Sequence, residues 1–515
     1  MAKLAVIGAG FGGLALSVRL QSAGHDVTLI EARDKIGGRA YVWEREGYTF
    51  DAGPTVITDP PCLEELFALS GRRIEDYVDL VPVQPFYRLF WEDGTTFDYT
   101  NDESVLFPEI EKLNPADVEG YKRFLDYAGH VYREGYEKLG TEAFLDFKSM
   151  ISAAPALMRY EAFRSVYAMV SRYIKDDRLR QAFSFHTLLV GGNPYKTSAI
   201  YALIHKLEKE GGVWFPKGGT HALVRALASL FEDLGGTLIV GNGVERIETE
   251  GDSVSAVVLQ DGTRMRVDGI GSNGDIVHTY ADLLKDHPRG KKAAKALARR
   301  SFSPSLFVLY FGVKKTYPDV PHHNILLANR YKGLLDEIYG AKALPEDFSL
   351  YLHHPTATDP DLSPEGCSTF YVLAPVPHMG KFEGNWDEVA EGYGDKIIDY
   401  LEEHLLPGLR ENIEVRHHFS PLDFKRELNA HQGSAFSLEP VLWQSAYFRV
   451  HNRDDVVSNL YFTGAGTHPG AGIPGVVGSA KATAKLMLAD FAGTEGAGSS
   501  DTGGIGHNSG VVAAA

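Results

Sequence analysis

The sequence predicts an α/β protein, a dinucleotide-binding domain with a second region of mixed sheet and helix. Three observations carry the prediction. The first 30 or so residues read strand, glycine-rich turn, helix, strand. An acidic residue, Glu31, closes the second of those strands. A strand, a glycine-rich loop and a helix recur near the C-terminus, over residues 459–476.

The first element is Leu4 to Ile7, an apolar run of strand length, and the helix spacing of Leu14 to Leu20 follows the glycines. Gly24 ends that helix and Val27 to Ile30 forms a second buried strand. Between them lies Gly8-Ala9-Gly10-Phe11-Gly12-Gly13, a G-x-G-x-x-G. Its glycines permit the tight turn, the approach of backbone to a pyrophosphate and close helix–strand packing. The helix N-terminus adds free N–H groups and positive partial charge. Glu31 stands where a carboxylate accepts hydrogen bonds from ribose hydroxyls and repels a 2′-phosphate.

Beyond this start, residues 82–99 alternate and carry Phe86, Tyr87, Phe90 and Trp91, which predicts strands. Residues 115–203 read mainly as helix, and a second α/β-like stretch runs from Val213 to Asp275 with a strand at 236–240. Strands at 306–313 and 369–374 precede a helix near 387–405. The last structured block is 432–491, and the Gly/Ser/Ala-rich tail 492–515 has too little to bury and is expected to be disordered.

Composition bounds the function. With 515 residues, 44% hydrophobic and 23% charged, the chain has material for two or three cores, so several domains are expected. A net charge of −17 repels nucleic acid, which is not expected as a partner. Cys62 and Cys367 stand far apart in no metal-ligand spacing, as for reduced thiols in a cytosolic protein, with a single long-range disulfide as the alternative, and no metal is expected. The first strand begins almost at Met1 and leaves no room for a signal peptide. Nowhere do about 18 apolar residues run without charge. A cytoplasmic protein, free or attached to a membrane surface, is the expectation.

A second motif follows Glu31, namely Glu31-Ala32-Arg33-Asp34-Lys35-Ile36-Gly37-Gly38-Arg39. It resembles the extended fingerprint of the flavin amine oxidase and carotenoid desaturase superfamily. Tyr48 to Thr55 looks like the segment that passes beside the flavin in that family, and Gly211 to Thr220 is similar to its Gly-Gly element before a helix. Val244 falls where such flavoproteins hold the adenine through backbone groups. The run from Asn459 through Gly464-Ala465-Gly466 to Gly475-Val476 looks like the signature of bacterial-type phytoene desaturases. Residues 186–194 and 439–449 match the same family.

The resemblance implies an α/β fold with a Rossmann-like, GR2-type FAD-binding domain, discontinuous over 1–80, 205–300 and 432–491. Residues 81–204 and 301–431 would form a mixed-sheet and helical region that binds substrate and associates with membrane. FAD is the implied cofactor, held by Gly8, Gly10, Gly12, Gly13, Glu31, Gly38, Arg39, Gly53, Pro54, Thr55, Val244, Gly464, Ala465, Gly466, Gly475 and Val476. The helix expected to start near Gly475 would aim its N–H groups at the flavin pyrimidine, stabilising the reduced, anionic form.

The implied chemistry is desaturation of phytoene to neurosporene or lycopene. Hydride leaves an allylic C–H for flavin N5, a proton leaves the neighbouring carbon, and a quinone or oxygen reoxidises the flavin. A C40 polyene offers no hydrogen-bonding atoms, so a long apolar tunnel is expected. Phe163, Val166, Tyr167, Val170, Tyr173 and Ile174 stand at helical spacing and fit either that tunnel or a core. No base is assigned; His186 and Arg449 are open both to a catalytic role and to a role as core polar residues.

A substrate that lives in a bilayer calls for peripheral membrane attachment. Residues 150–174, with Arg159, Arg164 and Arg172, and residues 289–300, with Lys291, Lys292, Lys295 and Arg299, are the two candidate surfaces. Within the enzyme class, a desaturase of a hydroxy- or methoxy-carotenoid and a carotenoid isomerase are alternatives. From another class, a non-catalytic prenyl- or lipid-binding escort protein shares the fold, and would be expected to lose the glycine runs and Glu31.

Overall fold

Residues 1–140, 142–145 and 154–492 are described here in a computed structural model. Strands Lys3–Ile7, Asp26–Glu31, Thr237–Val240, Gly269–Ser272 and Leu460–Phe462 form one parallel sheet. In space their order is 460–462, 269–272, 3–7, 26–31, 237–240. Covered on both faces, the strand Lys3–Ile7 carries an unbroken apolar run from Leu4 to Ile7, as buried parallel strands do.

One face is covered by the helices Phe11–Ser22, Thr220–Asp233 and Ile473–Phe491. Phe11–Ser22 is buried from Phe11 through Leu20, because it is wedged between the sheet and the C-terminal helix. The other face packs Ala5, Ile7 and Ile30 against an antiparallel sheet of Val244–Glu250, Ser253–Leu259 and Arg264–Arg266, and against the helix Pro288–Leu297.

A second, seven-stranded sheet runs Ile413–Phe419, Ser305–Val313, Ser368–Val376, Leu350–His353, His323–Leu327, Tyr87–Trp91, Thr96–Tyr99. Its one parallel pair is His323–Leu327 with Tyr87–Trp91. The strand Ser305–Val313 is buried at every position. Phe307, Leu309, Phe311 and Val313 face the helix Trp386–His404. Leu306, Val308 and Tyr310 face the hairpin of Val42–Arg45 and Tyr48–Asp51. Gly312 lies on that second face, where a Cβ would stand 2.5 Å from the Tyr48 ring. The helices Glu103–Leu113, Asp117–Tyr132 and Leu203–Gly211 cap the far end of this sheet.

One expectation meets a different outcome, one left open is decided, and two reach beyond the described residues. The C-terminal helix begins at Ile473 with Gly472 as its N-cap, two residues before Gly475, because Pro474 suits the first turn and lacks the N–H that the turn leaves unused. The stripe from Phe163 to Ile174 is core and not tunnel. Val166, Val170 and Ile174 pack into the hydrophobic cluster behind Phe124, Phe163 is exposed, and none of the six residues lines the cavity. Its helix spans only Val166–Val170, too short for a continuous face. The expected membrane segment from Met150 begins, and the tail beyond Ala492 lies, outside the described residues.

Candidate functional site

A cavity of about 770 Å³ runs between the two sheets. At one end it meets the turn after Lys3–Ile7. Gly8 there adopts φ +90°, a region open to glycine, and its N–H donates to Ile30 O at 2.7 Å. Gly10 caps the helix Phe11–Ser22 with no side chain, so the first-turn N–H groups stay available to a ligand. The helix Ile473–Phe491 likewise starts at the cavity wall with Gly472 as an N-cap that has no side chain. Two helix N-termini therefore reach the same cavity, an arrangement that suits a pyrophosphate at one and an electron-rich ring at the other.

Of the residues singled out from sequence, Gly8, Gly10 and Gly12 line this end, with Glu31, Gly38, Arg39 and Val244 beside them. Gly53, Pro54 and Thr55 border its middle, and Ala465, Gly475 and Val476 close it. The Glu31 carboxylate is fixed at its rim: Oε2 accepts from Ala9 N–H at 2.8 Å and Oε1 from Arg33 N–H at 2.9 Å. Each oxygen keeps a further lone pair for a ribose hydroxyl. Arg39 Nε donates to Ala435 O at 2.6 Å, which ties the Gly-Gly-Arg loop to the C-terminal segment.

Gly13, Gly464 and Gly466 do not line the cavity. They make room behind it. A Cβ on Gly13 would stand 1.9 Å from Gly8 O, and one on Gly464 would meet the Asn273 side chain at 2.4 Å. On Gly466 it would meet Ile276 at 3.0 Å. Asn273, which sequence reasoning missed, lies between the two glycine-rich loops and lines the cavity, and its Nδ2 donates to Gly8 O at 3.3 Å. The donors, the rim carboxylate and the space left by missing side chains all fit a dinucleotide.

The segment Ala52–Thr55 is pinned by tyrosines from three neighbouring strands of the second sheet. Tyr310 OH donates to Ala52 O at 2.7 Å and Tyr371 OH to Gly53 O at 2.6 Å. Thr55 Oγ1 lies 2.7 Å from Tyr371 OH and 2.9 Å from Tyr351 OH. Behind Tyr351, His323 Nδ1 lies at 2.7 Å and leads into a buried group of His322, His323 and His353. Burial holds the His323 imidazole down at about 3, and holds His322 and His353 well below the usual range. None of the three lines the cavity, and their burial favours the neutral imidazoles.

Asp51 closes the hairpin before this segment. Its Oδ1 accepts from Thr220 N–H at 2.8 Å. Burial pushes its carboxyl up to about 7, against the N–H groups of Thr220 and His221 and the charge of Arg225, which pull it down. The unfolded carboxyl titrates near 3.8. The folded state therefore holds the proton more tightly, and this stabilisation is complete below about pH 4 and lost as pH rises through about 7. A shift of this size corresponds to roughly 4 kcal/mol. Asp51→Asn is expected to flatten the fall in melting temperature across that window; an unchanged slope would contradict the assignment.

Arg449 is buried and braces the C-terminal loop. Its Nε donates to Thr467 O at 3.0 Å and its Nη2 to Ala465 O at 2.6 Å. It does not line the cavity and stands behind the loop that does. His186 is also buried off the cavity, with its Nε2 2.8 Å from Glu208 Oε2. Glu208 does line the cavity and was missed from the sequence, where it is one acidic residue in the charged run Lys206 to Glu210. The wall around it is largely apolar, with Leu188, Leu189, Ile200, Leu203, Ile204 and Leu207, and Ser198 and Tyr201 add hydroxyl groups to it.

The family model for flavin containing amine oxidoreductases matches residues 11–488. The chain is 56% identical over 491 residues to the phytoene desaturase (lycopene-forming) of Pantoea ananas, covering 95% of this chain and 100% of that one. It is 41% identical over 485 residues to the phytoene desaturase (neurosporene-forming) of Cereibacter sphaeroides, with 93% of each chain covered. Among solved structures, cyclohexylamine oxidase from Brevibacterium oxydans superposes with a TM-score of 0.60 at 17% identity, covering 95% of this chain and 99% of that one, a likeness of fold alone.

Proposed function

Because the chain belongs to the flavin-containing amine oxidoreductase family, we propose that it is an FAD-dependent desaturase that converts phytoene to lycopene. The cofactor is FAD, and the enzyme is an oxidoreductase. The observation that carries the substrate class is the continuity of the cavity. The glycine-lined cradle opens, past Gly53–Thr55, into a chamber walled by leucine and isoleucine. An amine would need polar groups to orient it, whereas a hydrocarbon is held by shape and by exclusion of water. Relatives at 56%, 57% and 58% identity are lycopene-forming, which supports lycopene over neurosporene as the product.

FAD, when bound, supplies a hydride acceptor at N5. The protein's own work is to place the polyene against it. The three tyrosines hold Ala52–Thr55 in place and Arg449 holds the loop at Ala465 and Thr467, while Glu31 and the helix N-terminus at Phe11 would hold the cofactor's polar half and the helix N-terminus at Ile473 its ring. The terminal electron acceptor in this reading is a quinone or oxygen.

The substrate enters from a membrane surface. No helix among the described residues is long and apolar enough to cross a bilayer, so attachment is peripheral in this reading. The loop Leu442–Phe448 supports it. Leu442, Ser445 and Ala446 line the cavity, while Trp443 is 68% exposed and Phe448 39%. Arg300 Nη1 donates to Phe448 O, which ties this loop to the segment following the helix Pro288–Leu297, whose Lys291, Lys292 and Lys295 are exposed, as is Arg299 beyond it. An apolar tip at the mouth with a basic flank suits an anionic bilayer. The other candidate surface is weaker, since Arg164 and Arg172 both pair with Glu161. Trp443→Ala with Phe448→Ala is expected to reduce sedimentation with anionic vesicles at least tenfold and leave FAD content unchanged.

The function is tested by adding phytoene in liposomes to the FAD-loaded protein without oxygen. Bleaching of the flavin band near ~450 nm with growth of polyene bands is the expected result. A flavin that stays oxidised with phytoene, and is reduced by a later carotenoid, would overturn the substrate assignment.

A further inference from the structure

A carboxylate in the wall of a hydrocarbon tunnel is costly. Enclosing an ionised group without full pairing costs several kcal/mol. Glu208 puts a carboxyl in such a place: it is 0% exposed, it lines the cavity, and it stands on the helix Leu203–Gly211 next to Leu203, Ile204 and Leu207 of the same wall. Only one of its oxygens is satisfied. Oε1 accepts from Tyr87 OH at 2.7 Å. Oε2 has no hydrogen-bond donor; His186 Nε2 lies 2.8 Å away but not in line for a hydrogen bond.

The position of Glu208 points to the reacting end of the chamber. The Tyr87 ring packs 5.8 Å from His323, His323 touches Tyr351, and Tyr351 touches Thr55 in the segment that borders the cofactor cradle. One turn further along the same helix, a Cβ on Gly211 would meet Thr58 O, so the helix is packed directly against the chain that leaves Thr55.

Resting on the desaturase reading, we propose that Glu208 is the base that removes the proton from the substrate. Desaturation takes two hydrogens from adjacent carbons. One leaves as hydride, and its C–H electron pair goes to FAD, the oxidant. The other leaves as a proton to Glu208 Oε2, and the electron pair of that C–H bond becomes the new π bond. Glu208 ends as the neutral acid, within reach of His186 Nε2, and returns the proton to solvent once product moves on. Tyr87 is a positioning residue: its hydroxyl holds the carboxylate through Oε1, and it does not line the tunnel. A bulky hydrocarbon also excludes water from this end, so the proton needs an acceptor supplied by the protein.

Glu208→Gln keeps the shape and the Tyr87 hydrogen bond and removes the base. We expect the variant to bind FAD and to bind phytoene in liposomes, measured on flavin-free protein by sedimentation, as the wild type does. Flavin bleaching by phytoene is expected to slow roughly 10²–10⁴-fold, the usual contribution of a positioned base. Glu208→Asp, which withdraws the carboxylate by one methylene, should fall between the two. A Glu208→Gln enzyme that bleaches at the wild-type rate overturns the proposal. If that variant fails to fold, infrared difference spectra of the wild type decide: turnover should produce the carbonyl band of a protonated carboxylic acid, and its absence overturns the proposal. If the wild type reduces its flavin with another carotene and not with phytoene, the substrate reading fails while the variant ratio, measured on that carotene, still tests Glu208.

Discussion

Alanine at Gly13 is expected to give a protein that purifies without flavin and melts well below the wild type. The added methyl would stand 1.9 Å from Gly8 O, inside contact distance with a backbone atom that no rotamer change can move. The helix Phe11–Ser22 would have to lift from the turn at Gly8, and its N–H groups would leave the position they need for the pyrophosphate. Overpacking of this kind costs about 3 kcal/mol or more when the neighbour is fixed. Gly392 provides the control. It lies within the helix Trp386–His404, where a Cβ would meet nothing, so Gly392→Ala is expected to be neutral or to stabilise by about 0.5–1 kcal/mol. Flavin absorbance per chain and thermal melts measure both effects. A yellow Gly13→Ala protein of normal stability would mean that the turn is more pliable than this packing allows.

The second large effect is expected at Ile204. This residue is half-buried in the tunnel wall one helical turn before Glu208, on the same face. Tryptophan there would fill the chamber next to the carboxylate without touching the cradle. Ile204→Trp is expected to keep its full FAD content and to lose lycopene formation at least tenfold, with less conjugated carotenes in its place. Chromatography of the carotenoids made alongside a phytoene-producing pathway reads both rate and product. Unchanged lycopene would show that the polyene does not pass this point and would move the substrate path elsewhere in the cavity.

How far the site could be read in advance depended on the distance along the chain between its parts. Gly8 to Gly13 and Glu31 lie within one βαβ unit, and local spacing alone specifies the turn, the helix start and the rim carboxylate. The six-residue stripe from Phe163 went to the core because helical spacing identifies a buried face and says nothing about what buries it. Gly13, Gly464 and Gly466 stand just behind the lining, where a Cβ on each would meet a neighbour, and a glycine in a motif does not reveal which atom its missing side chain makes room for. Glu208, Tyr351, Tyr371 and Asn273 left no local signal, because each acts through partners more than 100 residues away.

By itself the sequence determined the class of fold, the cofactor and the family, because these rest on backbone turns and helix starts written in short runs of glycine and apolar residues. The tertiary structure alone decided which residues face the tunnel, that His186 and Arg449 stand behind its lining, and that the Glu208 carboxyl enters a largely apolar wall. The physical reason is burial. A side chain's surroundings are assembled from strands and helices distant in sequence, and the cost of an enclosed charge or the use of an unpaired oxygen exists only once those surfaces meet.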